Sequence, residues 1–169
     1  MYSVIINAKK TIRKIFFLAT FGLSLVFFSC KQIDLYEKNT IIPNYEWTGE
    51  FQAKGNFSIT DTISLYNIYL VIRHTDAYKY NNIWLTIGIQ TPRDTMSYQR
   101  LNLELANDVS GWEGSGMNDI WELRKKLNTK PEPFKSAGVY SFTIAQNMRE
   151  NPLLHIMSVG MRVERQERE

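Results

Sequence analysis

The feature that most constrains the fold is the alternation of apolar and polar residues from Trp47 to the C-terminus. Successive side chains of a strand face opposite sides, so in Gly138–Gln146 the residues Tyr140, Phe142 and Ile144 share one face. Turn-separated strands of this kind predict a single antiparallel β-sandwich, for which a jelly-roll topology is plausible. Further strands are expected at 49–59, 63–74, 83–89, 95–106 and 156–163.

Two segments carry signals of their own. Ile68–Ile72 is apolar on both faces, which predicts a central strand. Asn118 is a good N-cap, Asp119 and Glu122 are acidic as favoured at the start of a helix, and Arg124–Lys126 are basic as favoured at its end. One short helix is therefore expected within the sandwich. Its apolar face would consist of Ile120, Leu123 and Leu127, and Asn128 with Pro131 would end it.

The first thirty residues have the composition of an export signal. A basic stretch without acidic residues precedes the apolar run 15–29, which is shorter than the roughly 17–25 residues needed to span a bilayer. Cys30 follows the small residue Ser29, as in bacterial lipoproteins, where the thiol receives a diacylglycerol. This pattern favours a cleaved signal peptide and a lipid anchor at Cys30 over an uncleaved membrane anchor with an inert cysteine.

Removal of residues 1–29 changes the charge balance of the chain. The 20 Lys and Arg residues fall to 16 against 17 Asp and Glu, a net charge of about −1. No basic stripe remains that would bind nucleic acid. Cys30 is the only cysteine, so neither an internal disulfide nor a thiolate metal site is expected. The predicted organisation is a signal peptide at 1–29, the lipidated cysteine and a tether at 30–45, and a β-sandwich at 46–169.

The mature sequence carries few groups that suit catalysis. His74 and His155 are the only histidines, and they lack the spacing of a metal site, so no metal and no cofactor are predicted. Acidic residues near Trp112 and Trp121 make a sugar-cleaving pair conceivable, but the helix start explains two of them. Residues 111–116 are rich in glycine without the context of a phosphate-binding loop, and a flexible turn leading into the helix is expected there. The chain is therefore predicted not to be an enzyme.

The most unusual segment joins two strong strand candidates, from Arg73 to Trp84. It is rich in Tyr, Asn and Asp, residues that are common in binding loops and equally suited to a well-packed connection. Both interpretations stay open. The predicted interaction surface consists of Arg73, Tyr78, Tyr80, Asn82, Trp84, Trp112 and Trp121.

The same residues carry a family resemblance. The segment 73–85, with Tyr78, Tyr80, Asn82 and Trp84 at their spacing, resembles the most characteristic segment of the GldH gliding-motility lipoprotein family of Bacteroidetes. Three later segments resemble the rest of that family, namely 111–121, 138–153 and 156–164.

The resemblance implies an outer-membrane lipoprotein that serves the gliding machinery and the associated type IX secretion system. It implies a structural or accessory part with envelope protein partners and a membrane contact through its lipid. Residues 31–33 lack an acidic cluster, which favours the periplasmic face. The alternative is an envelope-anchored module that binds carbohydrate or another small ligand through Trp84, Trp112 or Trp121.

Overall fold

The computed structural model describes residues 35–166, and these residues are mostly β-strand. The one helix among them is a single 3-10 turn at Pro43–Tyr45. The strands are β1 Leu35–Ile41, β2 Glu46–Trp47, β3 Ala53–Ile59, β4 Tyr66–Thr75, β5 Asn82–Gln90, β6 Ser97–Glu104, β7 Ala106–Asn107, β8 Gly111–Trp112, β9 Ser115–Met117, β10 Ile120–Lys126, β11 Gly138–Gln146, β12 Leu153–Leu154 and β13 Ile156–Arg165.

The long strands pair as a set of nested antiparallel hairpins. Strand β1 lies beside β13, β3 beside β11, β4 beside β10, and β5 beside β6. They form a five-stranded sheet in the order β1-β13-β4-β10-β9, the first sheet, and a four-stranded sheet in the order β3-β11-β5-β6, the second sheet. This nesting of first strand on last and second on second last is the jelly-roll arrangement. The predicted antiparallel sandwich and its jelly-roll topology are confirmed.

The core lies between the inner faces of these sheets and follows the alternation in the sequence. On β11 the side chains of Tyr140, Phe142 and Ile144 are buried, while the residues between them are at least partly exposed. Strand β4 lies between β13 and β10, and its residues Leu70–Ile72 are buried on both faces. The prediction of a central strand at 68–72 is therefore confirmed.

The predicted helix after Asn118 is wrong, because Ile120–Lys126 is strand β10. Asn118 has φ 57° and lies in the two-residue turn of the β9–β10 hairpin, a conformation that Asn tolerates better than most residues. The charged residues that suggested the two ends of a helix lie in the β9–β10 turn and along β10 instead. Glu122 lies opposite Arg73 on β4, and Leu123 lies opposite the buried Ile72, so pairing with a central strand overrides the helical spacing.

Two further expectations are corrected. The predicted tether is wrong for residues 35–41, because β1 pairs with β13 along its whole length and the Tyr36 ring lies 5.4 Å from that of Phe57. Residues 111–116 do not lead into a helix, since they contribute β8 and the start of β9. Gly114 has φ 94° between them, and a Cβ there would collide with the backbone of Glu122. The signal peptide predicted at 1–29 and the lipid anchor predicted at Cys30 lie outside the described residues.

Candidate functional site

A pocket of about 730 Å³ opens on the outer face of the second sheet. Trp84 on β5 projects there, because it lies between the buried Ile83 and Leu85 and successive residues of a strand face opposite sides. Arg100 on the neighbouring strand β6 projects into the same pocket. The Trp84 side chain is 42% exposed, a high value for the largest apolar side chain. This site is called the outer-face pocket, and its lining is Tyr80, Asn82, Trp84, Arg100, Asn147, Met148, Arg149 and Glu150.

The segment 147–150, which forms one wall of the pocket, is held by a buried amide. Gln146 is only 7% exposed and accepts a hydrogen bond from the Met148 backbone N–H at 2.7 Å. Its own Nε2 donates to the carbonyl oxygens of Trp47 and Glu150, both at 3.4 Å. A buried side chain that satisfies three backbone groups fixes the path of the chain, so the wall is rigidly attached to the core.

The same wall is attached to the second sheet. The Asn147 backbone N–H donates to the Trp84 carbonyl at 2.8 Å, and the Trp84 N–H donates to the Met148 sulfur at 3.2 Å. The Asn147 side-chain carbonyl accepts from Nε of Arg100 at 2.7 Å. These contacts bring Trp84 and Asn147, about sixty positions apart in the sequence, together at the pocket.

The acidic group of the pocket is already engaged. Glu150 accepts a hydrogen bond from the Tyr80 hydroxyl at 2.7 Å and an ion-pair contact from Lys79 at 3.3 Å. These two hydrogen bonds lower the pKa of Glu150 below its ordinary value, and the bond to Glu150 raises the pKa of the Tyr80 hydroxyl. The carboxylate is therefore ionised and held against the loop between β4 and β5.

The basic groups of the pocket are less occupied. Arg100 and Arg149 are exposed, and neither has an ion pair with any carboxylate in residues 35–166. The pocket thus combines two guanidinium groups, an exposed indole, a phenol and two amides. Such groups hold anions, stack on flat or apolar surfaces and form directed hydrogen bonds.

Two residues of the predicted surface pack into or against the core instead of lining the pocket. Tyr78 is 3% exposed and donates its hydroxyl proton to the Asn82 carbonyl at 3.0 Å. Its ring and that of Trp112 pack on the buried His74, with centroids 5.7 and 4.5 Å from the imidazole. Burial raises the pKa of Tyr78 and lowers that of His74, so both rings are neutral at physiological pH. The Tyr78 ring therefore belongs to a packed connection, and Trp112, outside that connection, packs on the same imidazole.

Two other residues of that surface lie on the first sheet. Arg73 faces outward and pairs with Glu122 at 2.5 Å, and Trp121 lies across Gly116, where a Cβ would contact the ring. The structure therefore brings together only Tyr80, Asn82 and Trp84 of the predicted set. Arg100 and the segment 147–150 were not predicted. Polar residues around Met148, directly after a cleanly alternating strand, were the only available signal for them.

The described residues contain no cluster of three or more His, Cys, Asp or Glu side chains that could hold a metal. Nor does any helix between residues 35 and 166 have the length and apolar character required to cross a bilayer.

Comparison with known proteins gives consistent matches along the chain. The model of a family described as GldH lipoprotein matches residues 34–163. The chain is 27% identical over 150 residues to the gliding motility lipoprotein GldH homolog of Christiangramia forsetii, covering 83% of this chain and 90% of that protein. It is 26% identical over 151 residues to the gliding motility lipoprotein GldH of Flavobacterium johnsoniae, covering 85% and 92%.

Proposed function

Because the chain belongs to the GldH lipoprotein family, we propose that it is a non-enzymatic accessory or assembly component of the gliding and type IX secretion machinery. It is held in the cell envelope by lipid on Cys30 and contacts other envelope proteins through the outer-face pocket. The observation that carries this proposal is the concentration of exposed aromatic and arginine side chains in one rigid pocket of a chain with this family membership.

The composition of the pocket supports protein binding. Trp, Tyr and Arg are the residues that most often dominate the binding energy of protein interfaces, and the pocket contains Trp84, Tyr80 and two arginines. A rigid wall lowers the entropic cost of association, because fewer side chains have to be ordered when the partner docks. The hydrogen bonds of Gln146 provide that rigidity.

The first residues of the chain support the proposed location. The segment 1–29 would direct export, and two or three acyl chains on Cys30 would anchor the protein stably, since each buried methylene contributes roughly 0.8 kcal/mol. The proposed location of the protein is the periplasmic face of the outer membrane. Radiolabelled palmitate should then enter the wild-type protein but not a Cys30→Ala variant. Equal labelling of both proteins would contradict the anchor.

The partner claim is tested by crosslinking in living cells. The protein carries a C-terminal tag, is crosslinked, is purified from the membrane fraction, and its companions are identified by mass spectrometry. Wild-type protein should enrich other gliding or secretion components. Trp84→Ala should lose them, because it removes the exposed indole without disturbing the core.

Tyr98→Ala is the matched control for this experiment. Tyr98 is 65% exposed on the same outer face and lies outside the pocket lining, so its removal should leave the companions unchanged. Recovery of the protein without companions, or equal recovery by all three proteins, would contradict the proposal.

A second candidate function is carbohydrate binding. It is favoured by Trp84 beside two amide side chains, Asn82 and Asn147, in a pocket large enough for sugar rings. Among the described tryptophans only Trp84 is in the pocket lining, so a sugar should change its fluorescence. A glycan array without a hit, together with fluorescence that no sugar alters, would exclude this candidate.

A further inference from the structure

Arginine side chains are paired with carboxylates on the outer face of the first sheet. Arg73 and Arg124 both contact Glu122, at 2.5 and 2.8 Å. Arg162 contacts Glu37 at 2.6 Å and also pairs with Glu164. Each of these three guanidinium groups therefore has a carboxylate partner within the molecule.

The outer-face pocket is different. Arg100 contacts the neutral amide of Asn147, and Arg149 has no ion pair in the described part of the chain. Among the described residues of the lining the single carboxylate is that of Glu150, and it is already shared by Lys79 and Tyr80. The pocket thus presents two unneutralised positive charges, which favour an anionic ligand.

The border of the pocket favours an extended polypeptide as that ligand. Arg100 lies on β6, which is an edge of the second sheet and pairs only with β5 among the described strands. An edge strand offers free backbone N–H and C=O groups along one side, and a peptide in extended conformation complements them with its own backbone. A glycan has no regular series of amide groups that would match this edge.

The exposed indole adds a second requirement. Trp84 lies next to β6, opposite Asn102 in the β5–β6 register, and it lines the pocket together with Arg100 and Arg149. A flat apolar surface of this kind binds aromatic or aliphatic side chains. A matching ligand therefore carries carboxylates and at least one apolar side chain close together.

We propose that the outer-face pocket binds an extended, acidic segment of a partner protein, with its carboxylates on Arg100 and Arg149 and an apolar side chain on Trp84. The inference rests on the proposed function, since it specifies the chemistry of the partner at that site. Carboxylates of the segment form charge-assisted hydrogen bonds with both arginines, and its backbone runs along β6.

The test is selection of a random phage-displayed peptide library on the full-length lipidated protein in nanodiscs. The wild-type protein is compared with the double variant Arg100→Ala/Arg149→Ala and with Arg93→Ala. Arg93 is exposed in the β5–β6 turn and lies outside the outer-face pocket, so Arg93→Ala removes a guanidinium charge without changing the pocket. Urea unfolding of each variant checks that the fold is intact.

Wild type and Arg93→Ala should retain peptides enriched in Asp and Glu beside aromatic residues, and the double variant should lose them. The dissociation constant of the most enriched peptide should rise about tenfold for Arg100→Ala alone and for Arg149→Ala alone, and should stay unchanged for Arg93→Ala.

Retained peptides without an acidic excess, acidic peptides that bind the double variant equally well, or no retained peptides would each overturn the inference. Arginine-dependent binding of an oligogalacturonate in place of any peptide would overturn it in favour of an acidic glycan. If Trp84-dependent crosslinking to machinery components succeeds while peptide selection fails, only this inference is lost and the proposed function stands.

Discussion

Replacement of Gln146 by Leu tests how the pocket is attached to the core. Leu has nearly the same volume but cannot satisfy the Met148 N–H or donate to the carbonyl oxygens of Trp47 and Glu150. A buried polar group left without a partner costs about 1–3 kcal/mol. The 2.7 Å bond carries most of this cost, because the two 3.4 Å contacts are weak.

Burial of the apolar Leu side chain offsets roughly 1 kcal/mol of the middle value of about 2 kcal/mol, so the net loss of unfolding free energy should be about 1 kcal/mol. Urea unfolding of the full-length protein in detergent, followed by tryptophan fluorescence, measures it from the transition midpoint. Gln90→Leu is the control, since Gln90 is exposed at the end of β5 and its replacement should change stability by less than about 0.5 kcal/mol. A Gln146→Leu loss as small as that of the control would refute the assigned role.

Two further perturbations test the account elsewhere in the fold. Gly160→Ala should lower the free energy of unfolding by more than about 2 kcal/mol, because its Cβ would collide with the Lys38 carbonyl and lie 2.7 Å from the Asn39 Cα. Gly49→Ala is the control, since a Cβ there meets only ordinary contacts. Equal urea midpoints for the two variants would contradict this prediction. His74 has a pKa lowered by burial, so its contribution to stability is complete above the unfolded pKa of about 6.5 and is lost as the pH falls through the folded value. Between about pH 7.5 and pH 5 the wild type should lose more unfolding free energy than His74→Phe, and parallel losses would contradict the assignment.

The sequence predicts the sandwich well where a strand has one buried face. In β11 the alternation that places Tyr140, Phe142 and Ile144 on one face indicates which face of the strand packs against the core. The same logic fails at β10, where charges and apolar residues fit both a helix and a strand. The choice there is made by pairing with β4, a contact between segments about fifty residues apart. Strand β1 is not predicted for the same reason, because it forms by pairing with the distant β13 and its own residues show little alternation of apolar and polar side chains.

The candidate site is only partly predictable. Tyr80, Asn82 and Trp84 stand out because they are close together in the sequence and unusual in composition. Arg100, Arg149 and Glu150 do not, because a charged residue in an alternating strand or a loop is ordinary until the fold brings it beside an exposed indole. Tyr78 and Trp112 are equally suited to a surface and to the interior, and only the packing on His74 decides between them.

Complementation of a clean gene deletion tests whether the protein serves the gliding and secretion machinery through the outer-face pocket. Cells that lack the protein receive the wild type, Trp84→Ala or Tyr98→Ala at equal, immunoblot-verified abundance, and colony spreading and secretion of type IX substrates are measured. We expect that deletion impairs spreading or secretion, that wild type and Tyr98→Ala restore it, and that Trp84→Ala does not. A deletion without effect on either, or full restoration by Trp84→Ala, would contradict the account.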